Sequence, residues 1–229
     1  MFDLEIVNQL KDNEKYDELY HYVNEYVLQD DTDAIHQLGK IYDDGLGVEV
    51  DYEKAFHYYT IGAKRNHAPS QSSLGYLYSQ GLGVKQDLVE GFYYYLLASK
   101  QNDARALNNL GVYFCWDKLV KKDYKRALKY FEKAASLDHP VAYKNIGDCY
   151  MNGQGVEKDT NKGIQYYQLA IEKGDDYALI ALGHCYEIGL GVEKNIQKAI
   201  EYYNLGIQKK NKNAYYQLGY CYEMGTGVE

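Results

Sequence analysis

Six glycines recur at one interval: Gly39, Gly75, Gly111, Gly147, Gly183 and Gly219 are each 36 residues apart, with no insertion or deletion. A fixed period in the range of about 20 to 50 residues marks a stacked repeat, so this spacing constrains the fold before any single residue is weighed. The neighbours of the glycine return with it. Leu or Ile precedes it at Leu38, Leu74, Leu110, Ile146, Leu182 and Leu218. An aromatic follows at Tyr42, Tyr78, Phe114, Tyr150, Tyr186 and Tyr222. A G-x-G-V turn comes next in every unit but the third, then an Asp or Asn (Asp51, Asp87, Asp123, Asp159, Asn195). A paired aromatic closes each unit: Tyr58-Tyr59, Tyr94-Tyr95, Tyr130-Phe131, Tyr166-Tyr167 and Tyr202-Tyr203.

Each unit reads as helix A, turn, helix B. In the first, helix A spans about 33–44 and helix B ends near Lys64. The first turn glycine, Gly45, can take the left-handed conformation that terminates a helix. Asp51 is placed to accept from the free amides of helix B. Only 2 prolines in 229 residues suit so much helix. A glycine inside helix A costs about 1 kcal/mol relative to alanine. Its recurrence therefore implies close packing, expected against the small residues Ala55, Gly91, Ala127, Gly163 and Ala199 of helix B. Residues 1–32 read as a degenerate N-terminal capping unit, and 33–229 as five full repeats and a sixth helix A. The chain stops at a turn motif, Gly225 to Val228, as expected of a longer array cut short.

The fold class is all-α, a solenoid of 36-residue helix-turn-helix repeats. These residues resemble the Sel-one-like repeat family of the tetratricopeptide superfamily, whose pattern is A-x-x-x-L-G-x-x-Y-x-x-G-x-G-V, then D-x-x-K-A and Y-Y. The third unit departs most, with Cys115 to Val120 in place of the glycine turn. The resemblance implies a right-handed superhelix with helix A on the concave side, and an adaptor or scaffold role.

Chemistry-bearing patterns are sparse. The G-x-G turns lack the preceding strand and following Lys-Ser or Lys-Thr of a phosphate loop. Cys149, Cys185 and Cys221 share one column, which suits buried reduced thiols better than disulfides, since helix spacings of about 8–10 Å exceed disulfide reach. No metal-ligand spacing occurs, so no metal or cofactor is expected, and no nucleophile is paired with a base. A net charge of −8 argues against nucleic acid as a partner. The chain has no apolar run of membrane-spanning length and no leader at its N-terminus, so a cytoplasmic location without membrane insertion is expected.

Helical phase places the partner surface. With the glycine at 0° and 100° per residue, core positions fall at about 220° to 360°, and the positions three before and one, four and five after it fall at about 40° to 140°. This outward face carries His36, Lys40, Asp43, Tyr76, Ser79, Asn108, Val112, Trp116, Lys144, Asp148, Met151, Ile180, His184, Glu187, Tyr216 and Tyr220, with Tyr177 outside the core columns. Tyr143 and Tyr215 fall on the core face. Exposed aromatics edged by charge suit a protein or peptide partner. Trp116, the sole tryptophan, either faces that partner or packs into its own altered turn. The leading expectation is a non-catalytic adaptor. The alternatives are an immunity or effector-type protein that blocks or redirects one partner, a self-assembling module using its open C-terminal end, and a subunit whose catalytic domain lies beyond Glu229.

Overall fold

The computed structural model describes residues 1–223, so the turn at 225–228 lies outside it. Among the described residues there are helices and no strands. Two precede the periodic region, α1 (Leu4–Asp12) and α2 (Tyr16–Val27). Alternating A and B helices follow: α3 (Thr32–Asp44), α4 (Tyr52–Lys64), α5 (Ala68–Gln80), α6 (Leu88–Lys100) and α7 (Ala104–Cys115). The order continues with α8 (Tyr124–Ala135), α9 (Pro140–Asn152), α10 (Thr160–Glu172), α11 (Asp176–Ile188), α12 (Ile196–Gln208) and α13 (Lys212–Glu223). The chain forms two compact units, Met1–Leu107 and Asn108–Glu229. None of the described helices is long and apolar enough to cross a membrane.

The ends of the helices follow from their letters. Gly45, Gly81, Gly153 and Gly189 close four A helices in the left-handed region, with φ between 69° and 77°. The Asp51, Asp87, Asp123 and Asp159 carboxylates and the Asn195 side-chain oxygen each accept from a backbone N–H in the first turn of the following B helix. The B-to-A junctions hold a second left-handed position at the same period, which the sequence reading did not identify. It is occupied by Asp30, Asn66, Asn102, Asp138, Gly174 and Lys210. Asp, Asn and Gly tolerate this backbone, whereas a lysine there is strained.

The anchor glycine makes room for a ring. A Cβ on Gly39 would stand 2.6 Å from the Tyr59 ring, one on Gly147 2.7 Å from Tyr167, and one on Gly183 2.6 Å from Tyr203. The small helix-B residues face it as well: the carbonyls of Gly91, Gly163 and Ala199 come within 3.0 to 3.3 Å of a Cβ on Gly75, Gly147 and Gly183. The second aromatic of each pair thus sits over the glycine, while the first stacks on the aromatic three residues beyond it. Tyr42–Tyr58, Phe114–Tyr130 and Tyr150–Tyr166 are near-parallel, at 4°, 4° and 9°, with centroids 5.5 to 5.9 Å apart. Such offset pairs contribute about 0.5 to 1.5 kcal/mol beyond the area they bury.

The third unit keeps this frame without its glycines. Asp123 N–H donates to the Phe114 carbonyl at 2.9 Å, as Asp51 does to Tyr42 and Asp159 to Tyr150, both also at 2.9 Å. The altered turn, residues 116–123, therefore enters and leaves at the same two points. Cys149, Cys185 and Cys221 are buried, and none of them is in a disulfide. Burial pushes the Cys149 thiol up to about 12 and Cys185 to about 11. Thiols this weakly acidic stay protonated and inert at neutral pH.

Candidate protein-binding surface

In the first unit, the predicted face is partly closed. His36 is only 7% exposed. One ring nitrogen lies 3.2 Å from Ser73 Oγ, and the ring packs against Tyr59 and His67. Burial, followed by the neighbouring His67, Arg105 and Lys40, drives its pKa down to about 2, so it is neutral at physiological pH. It is a packing group between successive A helices and not a surface ligand. Ser79 is likewise buried, its hydroxyl donating to the Gly75 carbonyl at 2.7 Å. Arg105, which the sequence reading passed over, covers Ser72 and Ser73 with guanidinium bonds of 3.1 and 2.6 Å and also reaches the Pro69 carbonyl. It is the only arginine in its repeat column, and that oddity was the available signal. Asp43 is half-buried and accepts from Tyr59 Oη at 3.0 Å. Lys40 is half-buried and Tyr76 is 42% exposed.

The second unit repeats the division. Asn108 is 4% exposed and accepts from Asn145 Nδ2 at 2.8 Å. Met151 is buried against the backbone of Gly163, where a Cβ would strike its sulfur. Asp148 takes bonds of 2.6 Å from both Lys144 Nζ and Tyr167 Oη, and Glu187 accepts from Tyr203 Oη at 2.7 Å. Three carboxylates of the predicted face therefore hold the hydroxyl of the ring that covers the glycine. Val112 and Ile180 are half-buried. Trp116, Tyr177, His184, Ile188, Tyr216 and Tyr220 are exposed. Tyr215, expected in the core, is exposed too, while Tyr143 is half-buried and donates to the Ala135 carbonyl at 2.8 Å.

A rule emerges from the columns. Positions three before and four after the glycine, in the interior repeats, are covered by the next A helix or by the second helix-B ring. The position five after it is exposed in every repeat where it is described, and the position one after it is exposed at Tyr76, His184 and Tyr220 and half-buried at Lys40, Val112 and Asp148. A helical wheel treats one helix alone and cannot see the neighbour that covers it.

One cleft stands at the irregular repeat. It measures about 640 Å³ and is lined by Val112, Cys115, Trp116, Phe131, Lys144 and Asp148, among others. Two substitutions coincide with it: the glycine turn is absent, and Phe131 supplies a ring without the hydroxyl that Tyr59, Tyr167 and Tyr203 carry in this column. Trp116 is 59% exposed at its rim with Lys118 Nζ 5.6 Å from the ring centroid. The ring thus faces solvent and also meets Lys118 of its own altered turn. No three His, Cys, Asp or Glu side chains among the described residues are grouped so as to hold a metal.

The sequence profile of the Sel1 repeat matches residues 32–67, 68–103, 104–139, 140–175, 176–211 and 212–229. The structure is similar to a Sel1 repeat protein from Oxalobacter formigenes, with 33% identity and a TM-score of 0.78 over 99% of this chain and 93% of that one. It is also similar to a protective antigen of uropathogenic Escherichia coli with an SLR fold, at 25% identity and a TM-score of 0.63 over 92% of this chain and 44% of that one. An immunity protein from Pseudomonas aeruginosa shares the fold at 24% identity and a TM-score of 0.61, over 80% of this chain and 67% of the other. No curated protein matches the chain. With the profile spanning every repeat and the glycine, ring and cap columns explained by packing, the chain belongs to the Sel1 repeat family.

Proposed function

We propose that this chain is a non-catalytic adaptor that binds a partner protein along the exposed positions of its A helices. Sel1 repeat proteins are generally protein-interaction modules. The observation that carries the reading here is the set of solvent-exposed aromatics on those helices: Tyr76, Trp116, Tyr177, Tyr216 and Tyr220. They stand in columns other than those of the core rings Tyr59, Tyr95, Phe131, Tyr167 and Tyr203. Tyrosine and tryptophan supply large contact area at low entropic cost and dominate many interfaces.

The test is affinity capture from the native cell with the wild type and with a variant carrying Tyr76→Ala, Trp116→Ala and Tyr220→Ala. The variant should keep the helical circular dichroism and lose the partner. Capture by the variant at wild-type yield would sink the reading. An immunity role is a narrower version of the same proposal. It draws on the likeness to a Pseudomonas aeruginosa immunity protein, which carries the fold and leaves the partner open. A self-assembling role would use the exposed Tyr215, Tyr216, Tyr220 and Tyr222 of α13, and light scattering across a concentration series separates it from the adaptor.

A further inference from the structure

The charge of this acidic chain is distributed unevenly, and the exception falls at the irregular repeat. Residues 117–133 carry seven Lys or Arg against three Asp or Glu, a net +4. The equivalent windows of the other units, 45–61, 81–97, 153–169 and 189–205, carry −2, −1, 0 and 0. With −8 overall, the remainder of the chain holds −12.

The structure shows these cations available. Lys118, Lys121 and Lys122 lie in or beside the turn that replaces the glycines, and all three are exposed. Lys125, Lys129 and Lys133 are exposed at intervals of four along α8, which puts them on one stripe of that helix. None of the six forms an ion pair among the described residues, although salt bridges occur elsewhere, such as Lys173 with Asp138. The patch adjoins the exposed Trp116, over which Lys118 sits, and Lys122 joins Trp116 in lining the cleft. Like charges gathered without partners repel one another, so an opposite charge placed among them gains from every member.

We propose that the 116–123 turn and the α8 lysine stripe form a docking surface for a short acidic protein segment, seated against Trp116. This deepens the adaptor reading by giving one stretch of the partner a composition. Dimensions set the length: a helix of this size extends about 18 Å at 1.5 Å per residue, which an extended peptide covers with roughly five or six residues. The acidic remainder of the chain favours a short segment over nucleic acid. A duplex carries about one charge per 1.7 Å throughout its length and would run from the patch onto surface of its own sign.

Trp116 is the only tryptophan, so its emission reports on this surface directly. The purified chain is titrated with a fluorescein-labelled peptide bearing six consecutive glutamates between glycines, and binding is read by anisotropy. Unlabelled peptide is used to follow Trp116 emission. The all-glutamine peptide, a single-stranded oligonucleotide of equal charge and phosphatidylserine vesicles are compared at the same ionic strength. The glutamate peptide should bind and shift the tryptophan emission, weaken at least tenfold between 50 and 300 mM salt (about the range over which the Debye length halves or more), and bind at least tenfold more weakly to Lys122→Glu/Lys125→Glu/Lys129→Glu. These surface changes should leave the helical dichroism intact, and Lys122→Arg/Lys125→Arg/Lys129→Arg should retain affinity. Equal binding of the glutamine peptide, no loss in the charge-reversed variant, or tighter binding of the oligonucleotide or vesicles would each overturn the proposal. Failure here, with partner capture lost in the Tyr76→Ala/Trp116→Ala/Tyr220→Ala variant, removes only the acidic-segment claim, whereas intact peptide binding by the wild type with capture retained by that variant removes the helix-A surface.

Discussion

Gly147→Ala tests the packing account where it is most exposed to refutation. A methyl group at Gly147 would stand 2.7 Å from both Tyr167 Cδ1 and Cε1 and 3.2 Å from the Gly163 carbonyl. Carbon atoms rest at about 3.5 to 4.0 Å, so the overlap approaches 1 Å. The ring cannot readily swing away, because Tyr167 Oη is held by Asp148 at 2.6 Å. Overpacking of this kind costs about 1 to 3 kcal/mol. Alanine recovers about 1 kcal/mol of helix propensity, leaving a net loss of up to about 2 kcal/mol. Gly219 occupies the same column with nothing within 4 Å of its added Cβ, so Gly219→Ala keeps the propensity gain and meets no clash. The two substitutions are identical in sequence terms and should move stability in opposite directions. Urea unfolding followed by far-ultraviolet dichroism gives both midpoints. A third variant isolates the cause: in a Tyr167→Leu background the ring is gone, and Gly147→Ala should become neutral or mildly stabilising. A Gly147→Ala that stabilises as Gly219→Ala does, or that costs the same with Leu at 167, would refute the ring-over-glycine explanation.

Two further outcomes follow from buried and strained positions. His36 is held neutral with a pKa near 2 against an unfolded value of 6.5. The unfolded chain therefore takes up a proton that the fold excludes as pH falls below 6.5. Its stabilising contribution is complete above that pH and diminishes below it, by about 2 kcal/mol at pH 5. Urea midpoints at pH 7.5 and 5.0 should diverge by that much more in the wild type than in His36→Gln, and equal pH dependence in the two would contradict a neutral buried imidazole. At the B-to-A junction, Lys210 has φ 58°, where other units place Asp, Asn or Gly. Lys210→Gly should raise the thermal midpoint by relieving about 1 kcal/mol of left-handed strain, while Asn102→Ala, at φ 61° in the same column, should lower it.

What could be read from the sequence was whatever depends on one helix and its ends. Gly45 in a left-handed cap and Asp51 accepting from Lys54 N–H follow from local backbone chemistry and were legible letter by letter. The partner of the anchor glycine was not, because which of Ala55 and Tyr59 lies over Gly39 depends on how helix B rolls against helix A. The binding face shows the same boundary. Tyr76 and Trp116 were placed outward and are outward, whereas His36 and Asn108 have the same phase logic and are buried by the following A helix. The left-handed junction column was present all along as Asp, Asn, Asn, Asp, Gly, Lys at a period of 36. It went unread because no single member of the series announces a backbone requirement.

The bond from Asp123 N–H to the Phe114 carbonyl has a bearing on protein engineering. It fixes where each A-to-B connection departs and returns, and the same length between those points holds either a glycine turn or Cys115 to Val120. The connection after Tyr150 is bounded in the same way, by Asp159. In the regular repeats the second turn glycine lies against the preceding helix B, a Cβ on Gly155 striking the Tyr124 carbonyl, so the third repeat's connection is where a replacement segment of equal length would keep the register of the array.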